Sequence, residues 1–92
     1  MSEDKDELRR KRLRFRAWHR GTREMDFILG NYADQALGTM TAGELDAFEQ
    51  FLELPDQELF SWISGSKQAP GDADSRLLAE LRKVHLTPPD YR

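Results

Sequence analysis

An all-α fold, a compact bundle of five short helices in a single domain, is what this 92-residue sequence predicts. Three observations lead there. No stretch alternates apolar and polar residues with period two, and valine and threonine are scarce, so a sheet has no support. Apolar residues recur instead at three- and four-residue intervals, the stripe of an amphipathic helix. Gly and Pro punctuate the chain between those stripes, where helices stop.

The first helix is expected over about residues 6–19. Leu8, Phe15 and Trp18 fall on one side of it and Leu13 and Ala17 on the other, so one side should pack and the other stay partly exposed. Gly21 is read as its C′ residue. The second begins with Thr22 as N-cap, and Glu24 and Asp26 in its first turn offset the positive end of the helix dipole. Met25, Ile28, Leu29, Tyr32 and Ala36 form its stripe, and Gly38 is read as its C′ residue. Gly30 costs about 1 kcal/mol of helix propensity against Ala, which a close helix–helix approach would explain. The third helix has the clearest start: Thr41-Ala-Gly-Glu44 is a capping box, flanked by Met40 and Leu45 as a hydrophobic staple. Leu45, Phe48 and Leu52 form its stripe with Phe51 beside it, and Leu54-Pro55 stops it. The fourth runs over 56–64, with Asp56 as cap, Leu59, Phe60, Trp62 and Ile63 as its apolar surface and Gly65 at its end. A loop over 65–73 leads to the fifth, about 74–86, whose stripe is Leu77, Leu78, Leu81, Val84 and His85. Thr87-Pro88-Pro89 ends it. Residues 1–8 are read as a flexible acidic N-terminus, 9–86 as the five-helix domain and 87–92 as a C-terminal tail.

Size limits the chemistry. A chain of this length buries only about 60–65% of its unfolded surface, which allows one modest core and no deep cleft. A two-domain nucleotide-binding architecture is excluded. With no cysteine there is neither a disulfide nor a thiolate metal site. The longest apolar runs, such as Phe27-Ile28-Leu29, are too short to span a bilayer. The N-terminus has no apolar signal region and is too acidic for a mitochondrial leader, so a bacterial cytoplasmic protein with nothing removed is expected.

Charge is unevenly placed. Residues 1–23 carry nine Lys/Arg against four Asp/Glu, and residues 24–92 five against thirteen. Such asymmetry marks either a contact surface for an acidic partner or a solvated basic helix face balanced by the acidic remainder. The basic run from Arg9 to Arg16 has the character of a nucleic-acid contact, but the chain as a whole is acidic, against the footprint of such domains; no nucleic-acid partner is expected.

Nucleophile-and-base chemistry has little to work with. The two histidines are His19, among arginines, where it is a contact or a solvated residue, and His85, on an apolar stripe, where a half-buried packing role fits. Neither forms a metal site with a carboxylate at helical spacing, and the glycines lack a phosphate-binding spacing. No catalytic residue, no metal and no stably bound cofactor are expected.

The segment Arg20-Gly21-Thr22-Arg23-Glu24-Met25-Asp26 stands apart. Gly21 gives a side-chain-free junction that another backbone can approach. The following helix start offers unpaired N–H groups. Arg20 and Arg23 present planar forks for carboxylate, phosphate or carbonyl groups. A helix-capping turn with an internal Arg–Glu pair reads the same residues equally well.

Taken with two further stretches, this segment resembles the SdhE family, the FAD assembly factors of succinate dehydrogenase, whose mitochondrial branch is called succinate dehydrogenase assembly factor 2. Arg20, Gly21 and Glu24 match the family's R-G-x-x-E signature. The helix before it, Arg-Leu-Arg-Phe-Arg-Ala-Trp-His at 12–19, and Leu-Glu-Leu-Pro-Asp-Gln-Glu-Leu-Phe-Ser-Trp-Ile at 52–63 add two more marks in the right order. The resemblance covers about residues 9–86 and implies the same five-helix fold. It implies a chaperone-like factor that binds the flavoprotein subunit of succinate dehydrogenase, with that of fumarate reductase a second candidate, and promotes attachment of the partner's FAD to a histidine of that subunit. The attachment itself is regarded as largely autocatalytic. A monomer is the default and no membrane insertion is expected; the resemblance also brings an antitoxin-type regulatory binding module as the alternative. The expected partner-binding residues are Arg16, His19, Arg20, Gly21, Arg23, Glu24 and Asp26, and the basic helix face of Arg12, Arg14 and Arg16 supplies electrostatic steering.

Overall fold

Five amphipathic stripes that cannot be satisfied singly bury one another in a computed structural model, which describes residues 5–86. Helix α1 spans Lys5–Trp18, α2 Arg23–Ala36, α3 Ala42–Leu52, α4 Asp56–Ser64 and α5 Ser75–Leu86, with a 3₁₀ turn at Leu37–Thr39 after α2. The described residues contain no strand. Helix α2 is central: it packs along α1 on one side and α5 on another, α5 also packs on α4, and α1 rests on α3. Among the described residues no helix is long and apolar enough to cross a membrane.

The core follows the stripes. Ile28, Leu29 and Ala33 of α2, Leu45 and Phe48 of α3, Leu59 of α4 and Leu81 of α5 are fully buried, and among the described residues no charged or polar one is buried with them. On α1 the packed side is that of Leu13 and Ala17, whereas Phe15 is 63% exposed and Leu8 also reaches solvent. Small Ala17 lets α1 lie close to α2. Gly30 carries the approach further, because the Trp18 indole lies where a side chain at 30 would be: a Cβ there would stand 2.2 Å from Trp18 Cδ2.

Helix starts obey their caps. Thr22 Oγ accepts from the Met25 N–H, and at α3 both halves of the Thr41–Glu44 capping box are formed. Gly65 ends α4 in the left-handed region at φ 86°, a conformation costly for any residue with a Cβ.

Gly38 follows the Leu37 C-cap of α2, at C′, within the 3₁₀ turn. Three expectations need correction. Gly21 does not follow α1 directly; the helix stops at Trp18 and Gly21, at φ 109°, is the left-handed point of the turn 19–22. Asp56 is not the cap of α4: Pro55 holds the N-cap position and Asp56 is the first helical residue. Helix α1 already begins at Lys5, so residues 5–8 belong to it and not to a separate tail. Residues 1–4 and the tail expected at 87–92 lie outside the described residues.

Candidate functional site

The turn between α1 and α2 is built from the inside by two residues. Asp26, one turn into α2, reaches back so that its Oδ1 accepts from the Arg20 N–H at 2.6 Å and the Gly21 N–H at 3.3 Å. These are charge-assisted bonds, the stronger kind, and they fold the link 19–22 tightly over the start of α2. Arg20 then points inward. Its Nε donates to Asp56 Oδ1 at 2.7 Å, and its terminal nitrogens donate to the carbonyls of Leu52 and Leu54. Only 10% of the Arg20 side chain is exposed. The fork expected to meet a partner is therefore occupied within the chain, and so is the Asp26 carboxylate. The internal pair that Arg20 makes is with Asp56, where an Arg–Glu pair within the segment was expected.

With those two behind it, the outer surface of the turn is left to other residues. Gly21 has open space where its side chain would be. Thr22, Arg23 and Glu24 are exposed. Among the described residues Arg23 has no ion-pair or hydrogen-bond partner for its guanidinium. Glu24 is 57% exposed, with Oε2 3.4 Å from Nδ1 of His85. The helix start offers fewer free donors than expected, since the Met25 N–H is taken by Thr22.

Along α1 the surface continues as an aromatic pair. The rings of Phe15 and His19 stack with centroids 3.9 Å apart. His19 Nδ1–H donates to the Phe15 carbonyl at 2.7 Å; a carbonyl only accepts, so the proton of this bond sits on Nδ1. Phe15 was not among the expected site residues. Its signal was present in the sequence, a large apolar residue on the opposite side of α1 from Leu13 and Ala17, but it became readable only once the packed side was known.

Most of the basic run is neutralised internally. Arg9 pairs with Asp46 at 2.6 Å and Glu49 at 2.8 Å on α3. These two carboxylates raise the already high pKa of Arg9 through hydrogen bonds, so it stays cationic. Arg16 lies 3.7 Å from Glu49 and 3.5 Å from Glu53, Arg14 is 3.3 Å from Asp34, and Arg10 donates to the Leu37 and Met40 carbonyls. Of the three arginines assigned to steering, Arg12 alone lacks such a partner among the described residues. Much of the charge asymmetry thus joins α1 to α3.

Among the described residues no group of three or more His, Asp or Glu is placed to hold a metal ion. What the arrangement offers is an exposed knuckle: a bare glycine, a free cation, a half-held carboxylate and an aromatic stack beside a shallow pocket lined by Phe15, Arg16, His19 and Arg20.

A family model described as "Flavinator of succinate dehydrogenase" matches residues 11–85. The chain is 41% identical over 81 residues to the FAD assembly factor SdhE of Acetobacter pasteurianus, covering 88% of this chain and 74% of that one. It is 34% identical to the mitochondrial succinate dehydrogenase assembly factor 2 of Caenorhabditis elegans and 32% identical to that of Schizosaccharomyces pombe, covering 78% of this chain in each case. It spans only 62% and 52% of the length of those two mitochondrial relatives.

Proposed function

From the premise that this chain belongs to the flavinator of succinate dehydrogenase family, that of the SdhE assembly factors, we propose that it is an FAD assembly factor acting on the flavoprotein subunit of succinate dehydrogenase. The knuckle at 21–24 docks beside the partner's FAD site, and the subunit's own histidine becomes covalently attached to the flavin. One observation carries the docking assignment. Gly21 stands open to solvent at φ 109°, between exposed Arg23 and Glu24 on one side and the Phe15–His19 stack on the other.

An exposed docking surface can supply orientation to a reaction in another protein. Holding two groups in attack geometry is worth up to about 7–11 kcal/mol in favourable cases, so a factor that selects the productive conformation of its partner needs no catalytic group. In this reading Gly21 lets the partner's backbone approach, Arg23 and Glu24 make charge-assisted contacts, and Phe15 and His19 provide apolar area. Arg20 and Asp26 hold the knuckle in shape, and Arg16 ties α1 to α3 beneath it. The FAD is carried by the partner, the factor works as a monomer in the bacterial cytoplasm, and the fumarate reductase flavoprotein is a second client.

The test is in-gel flavin fluorescence of the denatured flavoprotein subunit from cells with and without this gene. Loss of the covalent flavin signal in the deletion, restored by the wild-type chain and poorly restored by Glu24→Ala, is expected. Unchanged flavinylation in the deletion, with co-purification of a cytoskeletal protein, would move the assignment to an antitoxin-type binding module.

A further inference from the structure

His85, in the last turn of α5, touches the docking surface from behind. Its side chain is 23% exposed, and the edge-on contact with the Phe60 ring, centroids 5.3 Å apart at 89°, sets the plane of the imidazole. The Nδ1 atom is closed off from solvent and has no aligned hydrogen bond. A buried polar atom without a partner is rare and costly. The group beside it is the Glu24 carboxylate, with Oε2 at 3.4 Å, within hydrogen-bond range but out of line. Glu24 is more than half exposed and can turn into line; His85, held by Phe60, cannot turn so readily.

We propose that His85 is a positioning residue for Glu24: its Nδ1–H holds the carboxylate of the docking glutamate, so that the end of α5 shapes an interface presented by the α1–α2 turn. The proposal rests on the reading of Glu24 as a partner contact. Its physical content is pre-organisation. A glutamate free to explore its rotamers loses that freedom when a partner binds, and one already held loses less. Removing the tether without removing the carboxylate is expected to weaken association by about three- to tenfold, the equilibrium equivalent of one immobilised long side chain.

The experiment has two arms. In the free protein, ¹⁵N NMR of the imidazoles reports which ring nitrogen of His85 carries the proton. Wild type is expected to show the Nδ1–H form, and Glu24→Ala, at an exposed position that leaves the core intact, is expected to shift His85 away from it. An unchanged His85 spectrum overturns the proposal. In the second arm, binding to the purified flavoprotein subunit is measured for His85→Phe, which keeps an aromatic ring against Phe60, in the wild-type and Glu24→Ala backgrounds. A three- to tenfold loss in the first and no further loss in the second are expected. Equal losses in both backgrounds assign His85 to packing alone and overturn it. If Glu24→Ala shifts the His85 spectrum yet binds the subunit as wild type does, the docking role of Glu24 fails and takes the positioning role with it, leaving only the pair.

Discussion

Arg20 Nε stands 2.7 Å from Asp56 Oδ1, across thirty-six positions of sequence. The contact joins two corners of the molecule, the α1–α2 turn and the α3–α4 turn. The same guanidinium donates to the carbonyls of Leu52 and Leu54, at and just beyond the end of α3, where the helix leaves acceptors without intrahelical donors. A cation suits that negative end, and the Asp56 carboxylate suits the positive start of α4. One side chain therefore serves both helix ends at the Pro55 corner, and the α1–α2 turn rests on it.

Removing Arg20 is expected to destabilise the fold before it alters any contact with a partner. Arg20→Ala leaves Asp56 without its cation in a largely covered site and should cost roughly 2–4 kcal/mol. Arg20→Lys should recover only part of this, since a single ammonium cannot span three acceptors in a plane. Urea unfolding checks it: a wild-type midpoint for Arg20→Ala would show that the brace contributes nothing.

Gly30→Ala should destabilise the protein although alanine is the better helix former. The added methyl would stand 2.2–2.5 Å from three carbons of the Trp18 indole. The ring has little room to retreat, because its Nε1–H donates to Asp34 Oδ1 at 3.2 Å. Overpacking of this kind costs about 1–3 kcal/mol against a propensity gain of about 1 kcal/mol, so a net loss is expected. In a Trp18→Ala background the same substitution should become stabilising. Identical effects in both backgrounds would separate Gly30 from the indole.

Local signals were legible in the sequence and distant pairings were not. The Thr22 cap, the Thr41–Glu44 capping box and the Gly65 stop act within four residues, so each could be read in place and each is formed. Gly30 could be read as a close approach, but not as an approach by Trp18, which comes from another helix. The role of Arg20 was out of reach, because its three acceptors lie thirty-two to thirty-six positions away. The same holds for Arg9, Arg14 and Arg16, whose carboxylates sit on α2 and α3. A charge run carries no mark of which members will be paired; that depends on which face the core takes, and on α1 it is the face of Leu13 and Ala17.

Alkaline pH should weaken the fold in part through Tyr32. The phenol is half-buried at the α2–α5 side, and desolvation raises its pKa above the usual value of 10.0, with the Glu80 and Glu44 carboxylates adding to the shift and Arg76 opposing it. A group whose folded-state pKa is raised leaves stability undiminished below its unfolded value, and stability falls as pH climbs through the folded one. Denaturant midpoints followed from about pH 9 to about pH 11 should fall for wild type above the ordinary tyrosine range. Tyr32→Phe should remove that part of the decline. An unchanged profile would place the alkaline sensitivity elsewhere.

Arg23 and Phe15 should separate the two halves of docking, because both are exposed and neither supports the core. Reversing a free surface charge away from structural contacts changes stability by about 0.5 kcal/mol or less, so Arg23→Glu should melt as wild type does. A charge at the edge of an interface acts mainly on the encounter. Its loss should slow association with the flavoprotein subunit, and the defect should shrink as salt is raised. Phe15 works by a different mechanism. Its ring lies flat on His19 and presents its remaining area to solvent, the position of an aromatic anchor, and truncating such an anchor costs more than about 1 kcal/mol of binding. That energy is realised after contact, so Phe15→Ala should speed dissociation, leave the association rate nearly unchanged and show little salt dependence. Stopped-flow association and chase-driven dissociation read the two rates separately. If Phe15→Ala dissociates as wild type does while Arg23→Glu associates slowly, the interface ends at the turn and α1 lies outside it.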